Sequence, residues 1–229
     1  MSEKTTSTTI LLASGVTKTF TQDGLAAQAL KGVSLSVGQG EFVSIVGRSG
    51  SGKSTLLSVL STLLKPDQGQ IIYNSADLAQ ATEAEINAVR HRDFAVIFQF
   101  HYLLPYLTAL ENTLLPFMRG LRPVSAEQRR RGLECLERVG LADKAARLPG
   151  QLSGGEQQRV AIARALVKDA RILFADEPTG SLDSATGATV MELLAGIRGD
   201  GLSVVMVTHN EDYARLADRV VRMEDGLVV

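Results

Sequence analysis

Hydrophobic and polar positions along the chain fall into two periods, and the period changes from one segment to the next. Ile10 to Phe20 and Ala29 to Val37 alternate apolar with polar residues and are broken by Gly15, Gly24 and Gly32, which predicts short antiparallel strands. Glu41–Val46 alternates in the same way, and Leu56–Leu60 then reads as a helix that stops at the Pro and Gly of Lys65–Gly69. Gln70–Asn74 reads as a strand, and the polar stretch Thr82–Arg92 as a helix. Phe94–Phe98, Ile172–Ala175 and Leu202–Thr208 are short apolar runs of the kind buried in a parallel sheet, and Val220–Met223 is a final strand. Glu127–Val139 and Val160–Leu166 carry apolar residues at helical spacing. Residues 1–9 are polar and threonine-rich, which predicts a frayed start.

Three of these segments end in residues that carry chemistry. The strand at Glu41–Val46 runs into Gly47-Arg48-Ser49-Gly50-Ser51-Gly52-Lys53-Ser54-Thr55, and a helix follows. Glycines there let successive backbone N–H groups converge on an anion, and the helix start adds partial positive charge. Lys53 is placed to reach the outer phosphates of a nucleoside triphosphate, and the Ser54 hydroxyl to ligate Mg²⁺. Ser153-Gly154-Gly155-Glu156 opens the helix at Val160–Leu166. Ser153 and Glu156 fit a reciprocal cap, and the two glycines expose backbone N–H groups to a second phosphate contact that lacks its own lysine. Asp176 and Glu177 leave the C-terminal end of an apolar strand, where ligands bind in open α/β sheets. Asp176 suits Mg²⁺, and Glu177 suits orienting or deprotonating water. Gln99 and His209 stand at two further strand ends, where each could be functional or structural. Phe20 reads as a core aromatic or as a platform for a nucleotide base. The dense apolar segment Phe100–Leu110, interrupted by Pro105, reads equally as helix-packing core or as a surface that receives a partner.

Composition narrows these readings. At 229 residues with 45% hydrophobic and 21% charged content, the chain has the make-up of a soluble globular protein. A formal net charge of -1 gives no reason to expect a nucleic-acid surface, and Arg129–Arg131 reads as a solvated helix face. The single cysteine, Cys135, precludes an internal disulfide and reads as a small core residue. The N-terminus lacks the layout of a secretory signal, and no apolar run approaches the ~20 residues that cross a bilayer, so a membrane role is expected to come through a partner.

With these motifs in order, the chain closely resembles the nucleotide-binding subunit of an ABC transporter over nearly its whole length. Leu152–Arg159 carries the family's signature, beside Gly47–Thr55 and Ile172–Glu177. The resemblance implies an α/β P-loop NTPase fold with a RecA-like core at 10–98 and 160–229, an N-terminal antiparallel β part, and an inserted helical subdomain at 99–159. It implies that Phe20, where the family usually has Tyr, stacks on adenine and that Gln99 senses Mg²⁺. It also implies that Ser181-Leu182-Asp183 crosses between subunits and that His209 contacts the γ-phosphate and holds the water and Glu177 in register. Two copies would pack head to tail, so that each ATP lies between Gly47–Thr55 of one chain and Ser153–Glu156 of the other. A membrane permease would dock near Tyr102–Leu115, placing the protein peripherally at the cytoplasmic face of the membrane. The wording of Phe98–Leu104 and Leu110–Thr113 looks most like the lipoprotein-releasing and macrolide-efflux branch, whose members move cargo by mechanotransmission. An ATPase that regulates a cell-wall hydrolase without transport is the competing reading. A DNA-repair ATPase would need heptads or cysteine clusters between Leu56 and Gln151, and a GTPase an Asn-Lys-x-Asp motif; neither is present.

Overall fold

A computed structural model describes residues 8–22, 25–118, 122–197 and 201–229. The expected fraying of the start falls mostly on residues 1–7, which lie outside the described residues, as does Gly24. The chain separates into two compact units, Met1–Arg90 with Arg198–Val229, and His91–Ile197.

The first unit contains two sheets. Strands β1 (Thr9–Gln22) and β2 (Leu25–Gly38) form a long antiparallel pair, extended by β4 (Gln68–Tyr73) and β5 (Ala76–Asp77) in the order β2-β1-β4-β5. The short strands predicted here are each 14 residues long, because Gly15 does not end β1. It sits at a bulge, with φ +59, where the register shifts between Ala13 and Val16. The backbone of Gly15 packs so closely on Gly69 that a Cβ at Gly69 would lie 2.6 Å from the Gly15 carbonyl oxygen. The second sheet is parallel: β3 (Phe42–Val46) lies between β8 (Ser203–Val207) and β9 (Arg219–Glu224), and β10 (Leu227–Val228) returns antiparallel on β9. Every residue of β8 is buried, as its continuous apolar run predicts, and so is every residue of β3, Ser44 included, although Glu41–Val46 reads as alternating. Helix α1 (Lys53–Leu60) follows β3, α2 (Glu83–Arg92) begins in this unit, and the single turn α7 (Glu211–Ala214) follows β8.

The second unit is built on two parallel strands, β6 (Phe94–Ile97) and β7 (Ile172–Asp176), whose Phe94 and Phe174 rings meet edge to face at 5.1 Å. Helices α3 (Ala109–Leu114), α4 (Ala126–Arg138), α5 (Gly154–Leu166) and α6 (Ser184–Ile197) belong to it. Cys135 is buried in α4. In the basic cluster of α4, Arg130 pairs with Glu127 and Glu134, and Arg131 with Asp169. Helix α6 was not anticipated from the sequence. Asp183 initiates it by accepting the N–H groups of Ala185 and Thr186 at 3.1 and 3.0 Å, and Val190, Met191 and Leu194 form its buried face.

Candidate functional site

In the first unit, the chain leaves the C-terminal end of β3 into Gly47–Gly52 and turns directly into α1. Two glycines are fixed there by what surrounds them. A Cβ at Gly47 would lie 2.2 Å from the Met223 carbonyl oxygen and 2.8 Å from Ser51 Oγ. A Cβ at Gly52 would lie 2.4 Å from the Ala29 carbonyl oxygen, and its φ of +95 is one that side chains resist. Gly226 N–H adds a hydrogen bond to the Ser51 carbonyl at 3.1 Å. The loop is thus held from outside by β2, β9 and the β9–β10 turn. Lys53 folds back over it, donating Nζ–H to the Gly47 and Arg48 carbonyls at 2.8 Å each, and is 7% exposed. Arg48, Ser49, Gly50 and Ser54 are exposed, and Thr55 is half-buried.

Two features of the same unit bear on this loop. His209 follows β8, the parallel neighbour of β3, with Thr208 N–H bonded to the Ile45 carbonyl at 3.1 Å, so it leaves the sheet at the same end as the loop. It is exposed, and Asn210 behind it caps α7. Phe20 is 46% exposed and therefore not the core aromatic that position alone suggested. Its cross-strand partner is Ala27, two residues from the Ala29 carbonyl that abuts Gly52.

In the second unit the same end of a parallel pair carries Gln99 beyond β6 and Asp176-Glu177 at the end of β7. Glu177 has φ +45, a left-handed conformation that costs a non-glycine residue about 1 kcal/mol or more. The turn is held on both sides: Gly180 N–H donates to the Glu177 carbonyl at 3.0 Å, and Gln158 Nε2 donates to the Pro178 carbonyl at 2.7 Å. Gln99 lies over the end of that turn. A Cβ at Gly180 would approach its Nε2 to 3.0 Å, and Ser181 Oγ donates to its carbonyl at 3.3 Å. Gln99, Glu177 and Ser181 are thereby brought together, while Leu182 and Asp183 lead into α6.

The start of α5 has the expected reciprocal cap. Glu156 N–H donates to Ser153 Oγ at 3.3 Å, Ser153 N–H donates to Glu156 Oε2 at 2.8 Å, and Lys144 pairs with Glu156. That pairing, with the hydrogen bonds, holds the Glu156 carboxyl below its ordinary range. The two glycines differ in kind. Gly154 is exposed, and a Cβ there would meet only ordinary van der Waals contacts, but Gly155 is buried, and a Cβ there would lie 2.1 Å from Thr186 Cγ2 on α6. Close packing of α5 on α6 is thus a reason for glycine at Gly155 that the sequence reading did not include.

The aromatic segment is a surface. Phe100, Tyr102, Leu104 and Tyr106 are 63, 64, 48 and 91% exposed, and Phe100 and Tyr102 border an open groove with Pro105, Pro149 and Gly150. The segment is nonetheless ordered by two polar side chains. The fully buried Asn112 accepts from Leu104 N–H at 2.8 Å and donates to the carbonyls of Leu104, Leu107 and Thr108 at 3.1, 2.8 and 3.1 Å. Arg164 of α5 donates to the His101 and Tyr102 carbonyls at 2.9 and 2.8 Å. Neither residue was singled out for this role from sequence. A buried asparagine among apolar neighbours was the signal available.

Comparison with known proteins adds to this geometry. The family model described as "ABC transporter" matches residues 30–180, well over half of the chain. The lipoprotein-releasing system ATP-binding protein LolD of Aquifex aeolicus is 50% identical over 202 residues, 88% of this chain and 90% of that protein. LolD of Acinetobacter baylyi is 43% identical over 221 residues, 96% and 97% of the two chains. The macrolide export ATP-binding/permease protein MacB of Chlorobaculum tepidum is 44% identical over 215 residues, but this chain spans only 33% of that protein's length. Among solved structures, the ATP-binding cassette MJ0796, a dimer in a post-hydrolysis state bound to ADP and Pi, superposes with a TM-score of 0.87. It is 42% identical to this chain over 95% of the chain and 96% of its own.

Proposed function

The chain belongs to the ABC transporter family as one of its ATP-binding, ATP-hydrolysing subunits, and we propose that it drives a membrane permease through ATP-dependent closure of a homodimer. The observation that carries this reading is the phosphate loop: a cradle fixed from outside, with Lys53 parked on its own carbonyls and ready to exchange them for phosphate oxygens. Backbone N–H groups of Gly47–Thr55 bind the β- and γ-phosphates, and Phe20 offers its exposed ring to the adenine. Ser54, Asp176 and Gln99 are oxygen donors of the kind a hard cation takes, and they would hold Mg²⁺, which supplies charge neutralisation on the phosphates. Glu177 accepts a proton from the attacking water and His209 fixes its direction, so the water meets the γ-phosphorus in line as the bond to ADP breaks.

Ser153 and the exposed Gly154 complete the γ-phosphate contacts of the partner copy, with Ser181–Asp183 at the junction between copies. ATP therefore favours the closed pair, and hydrolysis removes that preference. The segment near Tyr102–Leu115, exposed at Tyr102 and Leu104–Tyr106, receives the permease, which places the protein at the cytoplasmic face of the membrane. The likeness to LolD and MacB supports an exporting or lipoprotein-extracting system worked by mechanotransmission. Glu177→Gln tests the core of the reading. With ATP and Mg²⁺ it should accumulate as a dimer by light scattering while hydrolysis falls by about a hundredfold or more. Hydrolysis at the wild-type rate would remove Glu177 from the role, and a monomer under those conditions would remove the closure mechanism.

A further inference from the structure

His101 lies between the exposed aromatic segment and the start of α5. Its backbone carbonyl is gripped by Arg164, and its Nε2 lies 4.0 Å from where a Gly154 Cβ would sit. The half-buried imidazole is acted on by the Gln158 side chain and the Gly154 backbone, both of which favour its protonated form, against burial, which pulls its pKa down more strongly. Gln158 is fully buried one turn into α5, and its Nε2 holds the Pro178 carbonyl, one residue beyond the left-handed Glu177. His101 Nδ1 and Gln158 Oε1, a nitrogen that can donate and an oxygen that can only accept, are both buried, and although the two side chains are close enough to interact, neither atom makes a hydrogen bond of good geometry among the described residues. A buried pair left open in this way is costly, and a small shift of either side chain would relieve it.

We propose that His101 is a positioning residue which, through Gln158, transmits the state of the aromatic segment to the turn that carries Glu177 and to the first turn of α5. When the segment is pressed inward, His101 closes onto Gln158. The amide, already tied to Pro178, then fixes the Glu177 turn at the same moment as Gly154. This rests on Glu177 as the residue that orders the attacking water, and the test separates the two ideas.

The experiment measures steady-state ATP hydrolysis by the full chain for His101→Ala, Gln158→Leu, the double variant and His101→Gln. Each single variant should lower kcat about tenfold and leave the KM for ATP within about twofold, because the phosphate loop is untouched. The double variant should lose no more than the worse single one, since both break the same connection. His101→Gln, which restores a side-chain donor, should recover most of the rate. A wild-type kcat in His101→Ala would overturn the proposal. So would losses that multiply in the double variant, to about a hundredfold, or a failure of His101→Gln to recover the rate. Should Gln158→Leu fail to fold, the two His101 variants still decide the matter. Glu177→Gln retaining full activity would defeat the catalytic assignment instead, whatever the outcome of the cycle.

Discussion

Gly155→Ala isolates a physical distinction that two adjacent glycines conceal. The added Cβ would lie 2.1 Å from Thr186 Cγ2, well inside van der Waals contact, so something must move. Thr186 cannot yield cheaply. It is β-branched and stiff about χ1, and its Oγ1 donates to Asp183 Oδ2 at 2.7 Å while Asp183 caps α6. Either that hydrogen bond breaks or α5 and α6 separate. Overpacking of this kind costs about 1–3 kcal/mol, and the helix gains back about 0.5–1 kcal/mol when glycine becomes alanine. The net loss should be about 1–2 kcal/mol, which moves a urea midpoint down by about 0.5–1 M at an m-value near 2 kcal/mol/M. Adding Thr186→Ser removes the obstructing methyl, keeps the hydroxyl for Asp183, and should restore most of the loss. Gly154→Ala meets nothing closer than Leu182 Cδ2 at 3.8 Å, so its stability should stay within about 0.5 kcal/mol of wild type while ATP-dependent dimerisation weakens. A wild-type midpoint for Gly155→Ala, no recovery with Thr186→Ser, or equal destabilisation by Gly154→Ala would refute this account of the α5–α6 contact.

Two further outcomes follow from the first and second units in turn. Gly52→Ala should abolish ATP binding in a fluorescent-nucleotide titration and lower stability, because its Cβ would strike the Ala29 carbonyl at 2.4 Å. Gly50→Ala, with φ +80 but open space, should cost only about 1 kcal/mol in thermal unfolding. Equal effects of the two would contradict the cradle's external support. Burial pushes the Lys168 ammonium from 10.5 down to about 8, against the pull of Asp93. The unfolded chain therefore holds the extra proton between about pH 8 and 10.5, and stability from this group rises with pH through that window. Below about pH 8 the buried charge is present in full, so Lys168→Met should unfold at a higher temperature than wild type at pH 7, with the margin closing by about pH 10. A lower melting temperature at pH 7 would show that the pairing of Lys168 outweighs its desolvation.

Continuous apolar runs made three parallel strands legible, since a strand buried on both faces has no alternation to misread: β6, β7 and β8 all form where those runs lie. The phosphate loop and the capped start of α5 were equally plain, because their chemistry is local. The antiparallel part was less so. In β1 the fully buried positions run Leu11, Ala13 and then Val16, so the bulge at Gly15 changes the parity, and a further shift between Lys18 and Thr19 precedes Phe20. Alternation carried across those irregularities cannot say which face Phe20 occupies. Helix α6 escaped notice because Gly187, Thr189 and Gly196 dilute its periodicity, and its cap, Asp183, was already engaged in another reading. With α6 unseen, the packing constraint on Gly155 was out of reach, because it arises from a contact with Thr186 rather than from the local sequence.

Preorganisation of the phosphate cradle depends on the same non-local packing. Gly47 and Gly52 owe their identity to the backbone carbonyls of Met223 and Ala29, from segments nearly two hundred residues apart in the chain, and Gly226 closes the Ser51 carbonyl from a third direction. Each support is main chain, so side-chain substitutions at Ala29 or Met223 leave the contact in place, whereas movement of either strand would open the loop. Lys53 meanwhile satisfies the two loop carbonyls nearest its amine. Binding a triphosphate therefore requires no rebuilding of the loop, only an exchange of neutral acceptors for anionic ones at Nζ. The conformational entropy of shaping the cradle has been met on folding, which, under the closure mechanism proposed above, would leave the binding energy of the γ-phosphate available to draw a second copy closed.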